Sequence, residues 1–143
     1  EAKSKRKMTL ADLRPQNKEM FVGVDLIKPN LKEGKEMTGH EDIEKVGKAL
    51  IRYFNADVML TRGGDGISVF MREEKLHHYI SGKKIKVFDV SGAGDTAIAV
   101  VALGLASRLD VYSSAVLANI ASSIVVQKPG TATLSLEELI SAL

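Results

Sequence analysis

Cysteine is missing from all 143 residues. That excludes a disulfide framework, a thiolate metal site and a cysteine nucleophile, and it suits a reducing compartment. An excess of one charge is missing too: 20 lysines and arginines stand against 18 aspartates and glutamates, a formal net charge of +2. Nucleic-acid binding by bulk electrostatics is therefore not expected. No run approaches the roughly 20 apolar residues of a membrane-spanning helix. No apolar stretch follows the basic start in the manner of a signal peptide. There are no internal repeats and no Pro/Ser-rich linker. The expected setting is the cytoplasm, with neither nucleic acid nor membrane as a partner.

What is present is the composition of a globular domain, 45% hydrophobic and 27% charged, not that of a disordered chain. The length is that of one domain on a prior of about 100–200 residues. A chain of this size buries roughly 68–70% of its unfolded surface without a disulfide or metal staple. The start, Glu1-Ala2-Lys3-Ser4-Lys5-Arg6-Lys7, is locally basic. Without interleaved aromatics it reads as a solvated terminus before a nucleic-acid or membrane arm. The first residue is Glu1, not Met, and a processed or truncated product is expected.

Along the chain, apolar patterning alternates between strand and helix. Met8 to Leu13 alternates weakly and reads as a strand, and Val24 to Ile27 as a brief buried strand stopped by Pro29. Thr38 and Glu41 have capping-box spacing, and Ile43, Val46, Leu50, Tyr53 and Phe54 recur at helical spacing, which predicts a helix from about Gly39 to Phe54. Strands are expected at Val58 to Thr61, at Ile67 to Met71 after the turn Gly63-Gly64-Asp65-Gly66, at Leu76 to Ile80, and at Ile85 to Phe88. A long apolar helix follows, to about Ser107. Asp110 caps another to about Val126, and Ser135 with Glu138 opens a last one to Leu143. This alternation predicts an α/β fold whose strands are buried on both faces.

The strongest chemical signal is Asp89-Val90-Ser91-Gly92-Ala93-Gly94-Asp95-Thr96, placed between a strand and a helix. Gly92 and Gly94 let the backbone turn sharply and approach a ligand closely. N–H groups at a helix N-terminus, reinforced by the helix dipole, suit an anion such as a phosphate. Asp95 would repel that phosphate in the ground state, so it makes better sense as a base that takes a proton from an attacking hydroxyl. From spacing alone, an ordinary glycine-bearing loop with an aspartate cap is an equal alternative.

The same residues resemble the second signature of the PfkB, or ribokinase-like, sugar kinases. Asn30-Leu31-Lys32-Glu33, after Lys28-Pro29, resembles the family's Asn-x-x-Glu element. Thr61-Arg62-Gly63-Gly64-Asp65-Gly66 resembles its Thr-x-Gly-x-x-Gly nucleotide loop, and Asn119 and Gly130-Thr131 sit where the family closes its nucleotide pocket. All occur in the family's order and approximate spacing. Lys28 stands in place of the family's usual Thr, and Arg62 in place of a commonly apolar residue. Leu26-Ile27-Lys28-Pro29-Asn30 together with the Asp89-to-Thr96 run look most like the heptose-7-phosphate kinase branch, which in many bacteria is the N-terminal half of a bifunctional lipopolysaccharide-heptose enzyme.

The resemblance implies the C-terminal, nucleotide-binding part of a three-layer α/β/α fold with a mostly parallel sheet and a β-hairpin. The N-terminal half, with most sugar-binding residues and the β lid, would be absent. It implies ATP-dependent phosphorylation of a sugar or sugar-phosphate hydroxyl, with D-glycero-D-manno-heptose 7-phosphate the favoured substrate. Asp95 would be the base, and Gly92, Ala93 and Gly94 the backbone anion hole. Asn30 and Glu33 would organise Mg2+, through water; read alone, the pair is a helix-start cap. Thr61, Gly63 and Gly66 would lie against the nucleotide, although Gly-Gly-Asp-Gly is also an ordinary hairpin turn. Asn119 would lie near adenine or ribose, or equally bond a backbone carbonyl. Asp89 and the loop around Gly130 would hold a monovalent cation such as K+, or Asp89 would simply bond nearby N–H groups. The partner is a small-molecule sugar, and a homodimer of the intact protein is compatible with the family.

Two alternatives stand beside this reading: a non-catalytic nucleotide-binding module, and a PfkB kinase for another sugar or a nucleoside. Other conspicuous residues are read as structural. His77 and His78 alternate across a strand and face opposite ways, which argues against a metal pair. Arg72-Glu73-Glu74-Lys75 is a solvated hairpin tip.

Overall fold

A computed structural model describes residues 7–75 and 77–143. The basic residues 1–6 and Leu76, which the sequence places in a strand, lie outside the described residues. The chain divides into two compact units, one of residues up to Gly63 together with Ile67–Tyr79, the other of Gly64–Gly66 and Ile80–Leu143.

The first unit is built on a sheet of order β1-β2-β3-β4-β5. Its strands are β1 (Leu10–Ala11), β2 (Leu26–Ile27), β3 (Asp57–Thr61), β4 (Gly66–Phe70) and β5 (His78–Ser81). β1, β2 and β3 run parallel, and β4 returns antiparallel to β3 with Val58 opposite Phe70 and Thr61 opposite Ile67. Val58, Met59 and Leu60 are all buried, as are all five residues of β4. Such continuous apolar runs mark strands covered on both faces, as the sequence predicts. Helices α1 (Leu31–Thr38) and α2 (Ile43–Phe54) follow β2. Val46, Leu50 and Phe54 of α2 pack with Leu13, Ile27, Val58, Leu60 and Phe70 as the core.

The helix expected from about Gly39 to Phe54 is instead two helices. Thr38 is the last residue of α1, and its hydroxyl donates to the Gly34 carbonyl at 2.8 Å, so it is not an N-cap. Gly39 takes the left-handed conformation that ends helices (φ 69°), its N–H bonding the Lys35 carbonyl. α2 starts afresh at Ile43 under Asp42, which accepts the Lys45 N–H at 3.0 Å.

The second unit contains α3 (Ala93–Ala106), α4 (Val111–Val125) and α5 (Leu136–Ser141). Its caps are those the sequence indicates. Asp110 accepts the Ser113 N–H at 2.7 Å and the Ser113 hydroxyl at 2.8 Å. Ser135 and Glu138 form the reciprocal capping box of α5. The strand expected at Ile85 to Phe88 does not form. Alternation supplies facing, but a strand also needs a ladder, and here the N–H groups of Phe88 and Asp89 both go to the Val126 carbonyl, at 2.7 and 3.1 Å. Among the described residues no helix is long and apolar enough to cross a membrane.

Asp110 gives a direct test of the capping chemistry. Its carboxyl is held below its ordinary value, first by the Ser113 backbone N–H and then by the Ser113 hydroxyl. A depressed folded-state pKa adds stability above the unfolded value, and that stability disappears as pH falls through the folded value. Asp110→Ala is expected to cost about 1 kcal/mol near neutral pH. Asp110→Asn, an equally good cap, should keep most of that stability and lose its acid-side decline. Urea unfolding of the three proteins at neutral and acidic pH checks both.

Candidate active site

In the first unit the Asn30–Glu33 element and Thr61 are joined. Asn30 is the N-cap of α1: its side chain accepts the Glu33 N–H at 2.9 Å, and Glu33 Oε2 accepts the Asn30 N–H at 2.8 Å. The pair is thus the helix-start cap that its spacing suggests when read alone. Asn30 also bridges Thr61 at the end of β3, and the Thr61 N–H donates to the Pro29 carbonyl at 3.1 Å. The second Glu33 oxygen is not engaged in the cap, and Glu33 is half-exposed. One accessible carboxylate oxygen fits a Mg2+ ion that keeps most of its waters.

Both departures from the family pattern have partners. Lys28 is only 4% exposed, and its ammonium meets Asp12 at 2.9 Å. The pair ties the carboxyl ends of β1 and β2, the edge of a parallel sheet where ligands commonly bind. Sequence reading misses it because Asp12 and Lys28 are far apart in the chain and only strand pairing aligns them. The Arg62 guanidinium lies over the Tyr79 ring at 4.2 Å, a cation–π contact. Gly63 opens the short 3-10 turn Gly63–Asp65.

In the second unit the predicted residues fall into two groups. Gly66 and Asn119 converge on residues 80–82. Gly66 has φ 93°, and a Cβ there would sit on the Ile80 carbonyl, so glycine is required by backbone packing alone. Asn119, on α4, donates to the Ser81 carbonyl at 2.9 Å, the backbone-bonding alternative for that residue.

The other group gathers at the start of α3. Asp89 accepts the Ser91 N–H at 2.8 Å. Its carboxyl is held below its ordinary value chiefly by that N–H, then by the Ser91 hydroxyl, with the Gly130 N–H adding to the effect. A carboxylate held in its charged form in this loop fits a monovalent cation. Gly92 is the N-cap of α3 in the left-handed conformation (φ 80°), and a Cβ there would lie 3.0 Å from the Thr131 methyl. The Gly92 carbonyl accepts the first helical bond, from Thr96 N–H at 2.8 Å, while the Ala93 N–H turns back to the Val90 carbonyl at 3.3 Å. Gly94 and Asp95 therefore belong to the first turn, whose N–H groups lack intrahelical acceptors. Asp95 is exposed there. Of the two glycines, Gly92 takes the left-handed position and Gly94 is helical.

His77 stacks on Phe70 at 4.9 Å, whereas His78 meets Glu74 at 2.7 Å. The two face different partners, and the described residues hold no cluster of three metal-ligating side chains.

The architecture is that of a ribokinase-like α/β protein. Phosphofructokinase-2 from Escherichia coli, in complex with potassium, superposes with a TM-score of 0.86 at 19% identity, over 99% of this chain and 48% of that one. Ribokinase from Arabidopsis thaliana, complexed with ribose and ATP, gives a TM-score of 0.85 at 23% identity, over 98% of this chain and 48% of that one. Residues 3–139 match the pfkB family of carbohydrate kinases, and the chain belongs to that family. Bifunctional protein HldE of Coxiella burnetii (strain Dugway 5J108-111) is 36% identical over 99% of this chain and 31% of its own length. The protein of the same name from Mesorhizobium japonicum is 41% identical over 96% of this chain and 28% of its own. The chain therefore spans about a third of these curated relatives and about half of the solved kinases.

Proposed function

We propose that this chain is the nucleotide-binding and catalytic-base part of an ATP-dependent carbohydrate kinase that phosphorylates a sugar phosphate, D-glycero-D-manno-heptose 7-phosphate being the favoured acceptor. The observation that carries the reading is Asp95, exposed on the first turn of α3 immediately after the left-handed turn at Gly92, in a chain of the pfkB family. The heptose acceptor is supported by the Lys28-Pro29-Asn30 and Asp89-to-Thr96 runs and by relatives named HldE.

In this mechanism Asp95 accepts the proton of the acceptor hydroxyl. The oxygen forms a bond to the γ-phosphorus of ATP as the bond to the bridging oxygen breaks, and ADP leaves. Backbone donors of Gly92 and Gly94 would hold the charge spread over the transferring phosphoryl group, the Ala93 N–H being given to the Val90 carbonyl. Thr61 and Gly63 in the first unit, and Gly66 and Asn119 in the second, would each serve nucleotide binding. Mg2+, when bound, neutralises phosphate charge, with Asn30 and Glu33 holding its waters. Asp89 and the Gly130 loop would hold the monovalent cation.

The sugar side would come from the part of a family kinase that this chain does not span. A nucleotide-binding module is the second reading.

The test compares the chain alone with a full-length kinase that carries it. Calorimetric titration should show weak Mg2+-dependent ATP binding by the chain alone, without sugar phosphorylation, because an unclosed phosphate site stays wet. The full-length protein should convert the heptose phosphate. Robust phosphorylation by the chain alone would refute the division of labour. Nucleotide binding with no turnover in the full-length protein against any sugar or sugar phosphate would leave only the binding module.

A further inference from the structure

Lys128 stands just beyond α4, where the loop to α5 begins. Its ammonium meets Glu138 at 2.6 Å (Oε1) and 2.8 Å (Oε2), and donates to the Thr133 carbonyl at 2.9 Å. Glu138 is itself fixed, because Oε2 also accepts the Ser135 N–H at 2.9 Å in the capping box of α5. The ion pair therefore closes a ring of chain from residue 128 to residue 138. Inside that ring lies the residue that reaches the glycine turn: Thr131, whose methyl occupies the space beside Gly92. The side chains of Lys128 and Glu138 are 30% and 39% exposed. An ion pair that open to water contributes little to global stability, so its effect falls on the loop it closes. Loops without secondary structure open locally at low free-energy cost unless such contacts restrain them.

We propose that Lys128 is a positioning residue: with Glu138 it holds the loop of residues 129–134 so that Thr131 closes on Gly92, presetting the glycine turn for phosphoryl transfer. It acts through Thr131 and Gly92, and the proposal rests on the kinase reading above. A small drift of that turn matters because a misplacement of about 1 Å in a catalytic site can cost on the order of 10²-fold in rate.

The test uses Lys128→Met, which keeps the stem and removes the charge, Lys128→Arg, and Glu138→Gln, which keeps a capping-box residue. Amide hydrogen exchange at Ser91 and Gly130 is read in each, with kcat and KM for ATP in the full-length kinase. In the Met and Gln variants these two amides should exchange roughly tenfold faster, and kcat should fall about tenfold with KM nearly unchanged. Amides inside α4 and the melting temperature should barely move, and Lys128→Arg should behave as the unsubstituted protein. Unchanged exchange at Ser91 and Gly130 overturns the clamp. Faster exchange with unaltered kcat overturns the positioning role. If Lys128→Met does not fold, Glu138→Gln decides by the same readouts. If the unsubstituted protein transfers no phosphoryl group, the kinase reading fails, and the exchange rates alone decide the clamp.

Discussion

Asp95→Asn is expected to lower kcat by roughly 10²–10⁴-fold, the usual loss when a general base is removed, while the fold and ATP binding persist. Asp95 is exposed on the first turn of α3, so the substitution disturbs no core packing. The amide keeps the shape and an acceptor oxygen but cannot take the proton of the acceptor hydroxyl. An acidic residue in a first helical turn also interacts favourably with the helix dipole, by about 0.3–1 kcal/mol, so a small drop in melting temperature accompanies the loss. Steady-state kinetics, ATP titration and thermal melting of one full-length variant separate these effects. A kcat within threefold of the unsubstituted protein would remove Asp95 from the mechanism.

Legibility from sequence divides along a physical line. Features fixed by a few consecutive residues were readable. The Asp110 cap, the Ser135–Glu138 box and the glycine turn before α3 all lie where local chemistry puts them. β3 and β4 were readable because their apolar runs are long enough to require burial on both faces. The two misreadings came from patterns that are necessary without being sufficient. Thr38 and Glu41 satisfy capping-box spacing, but Gly39 between them ends a helix, and the Thr38 hydroxyl is already committed to Gly34. Residues 85–88 alternate as a strand should, yet the N–H groups of Phe88 and Asp89 meet the Val126 carbonyl beyond α4 rather than a neighbouring strand.

The site divides in the same way. Its motifs were visible as residue types at family spacing, but the contacts that hold them were not. Lys28 reads as a substitution for a usual Thr until strand pairing sets it against Asp12. Asn119 reads as a lone polar residue in an apolar helix until it reaches the Ser81 carbonyl. Each partner lies many residues away, and no local pattern encodes a pairing of that kind.

Gly92 and Gly94 have the same residue type and flank the same alanine, but they carry different conformational demands. Gly92 takes the left-handed backbone and a Cβ there meets the Thr131 methyl, whereas Gly94 is helical. Gly92→Val should therefore act twice. A β-branched residue at φ 80° is a steric outlier, at roughly 1–2 kcal/mol for the left-handed conformation, and its methyls meet Thr131. If the turn relaxes to a negative φ, the N–H groups that follow swing away from the transferring phosphoryl group. Loss of one such donor typically costs about 2.7–4 kcal/mol of transition-state stabilisation, or 10²–10³-fold in kcat. Gly94→Ala is the matched control. Gly94 lies in the helical first turn, where alanine is the better helix former by about 1 kcal/mol, so stability should hold or rise. The paired measurement is thermal melting and kcat for both variants in the full-length kinase. Gly92→Val should lose several degrees and at least 10²-fold in kcat, with Gly94→Ala near normal in melting. If folded Gly92→Val turns over normally, the left-handed turn serves only the entry into α3, and the phosphoryl group does not bind there.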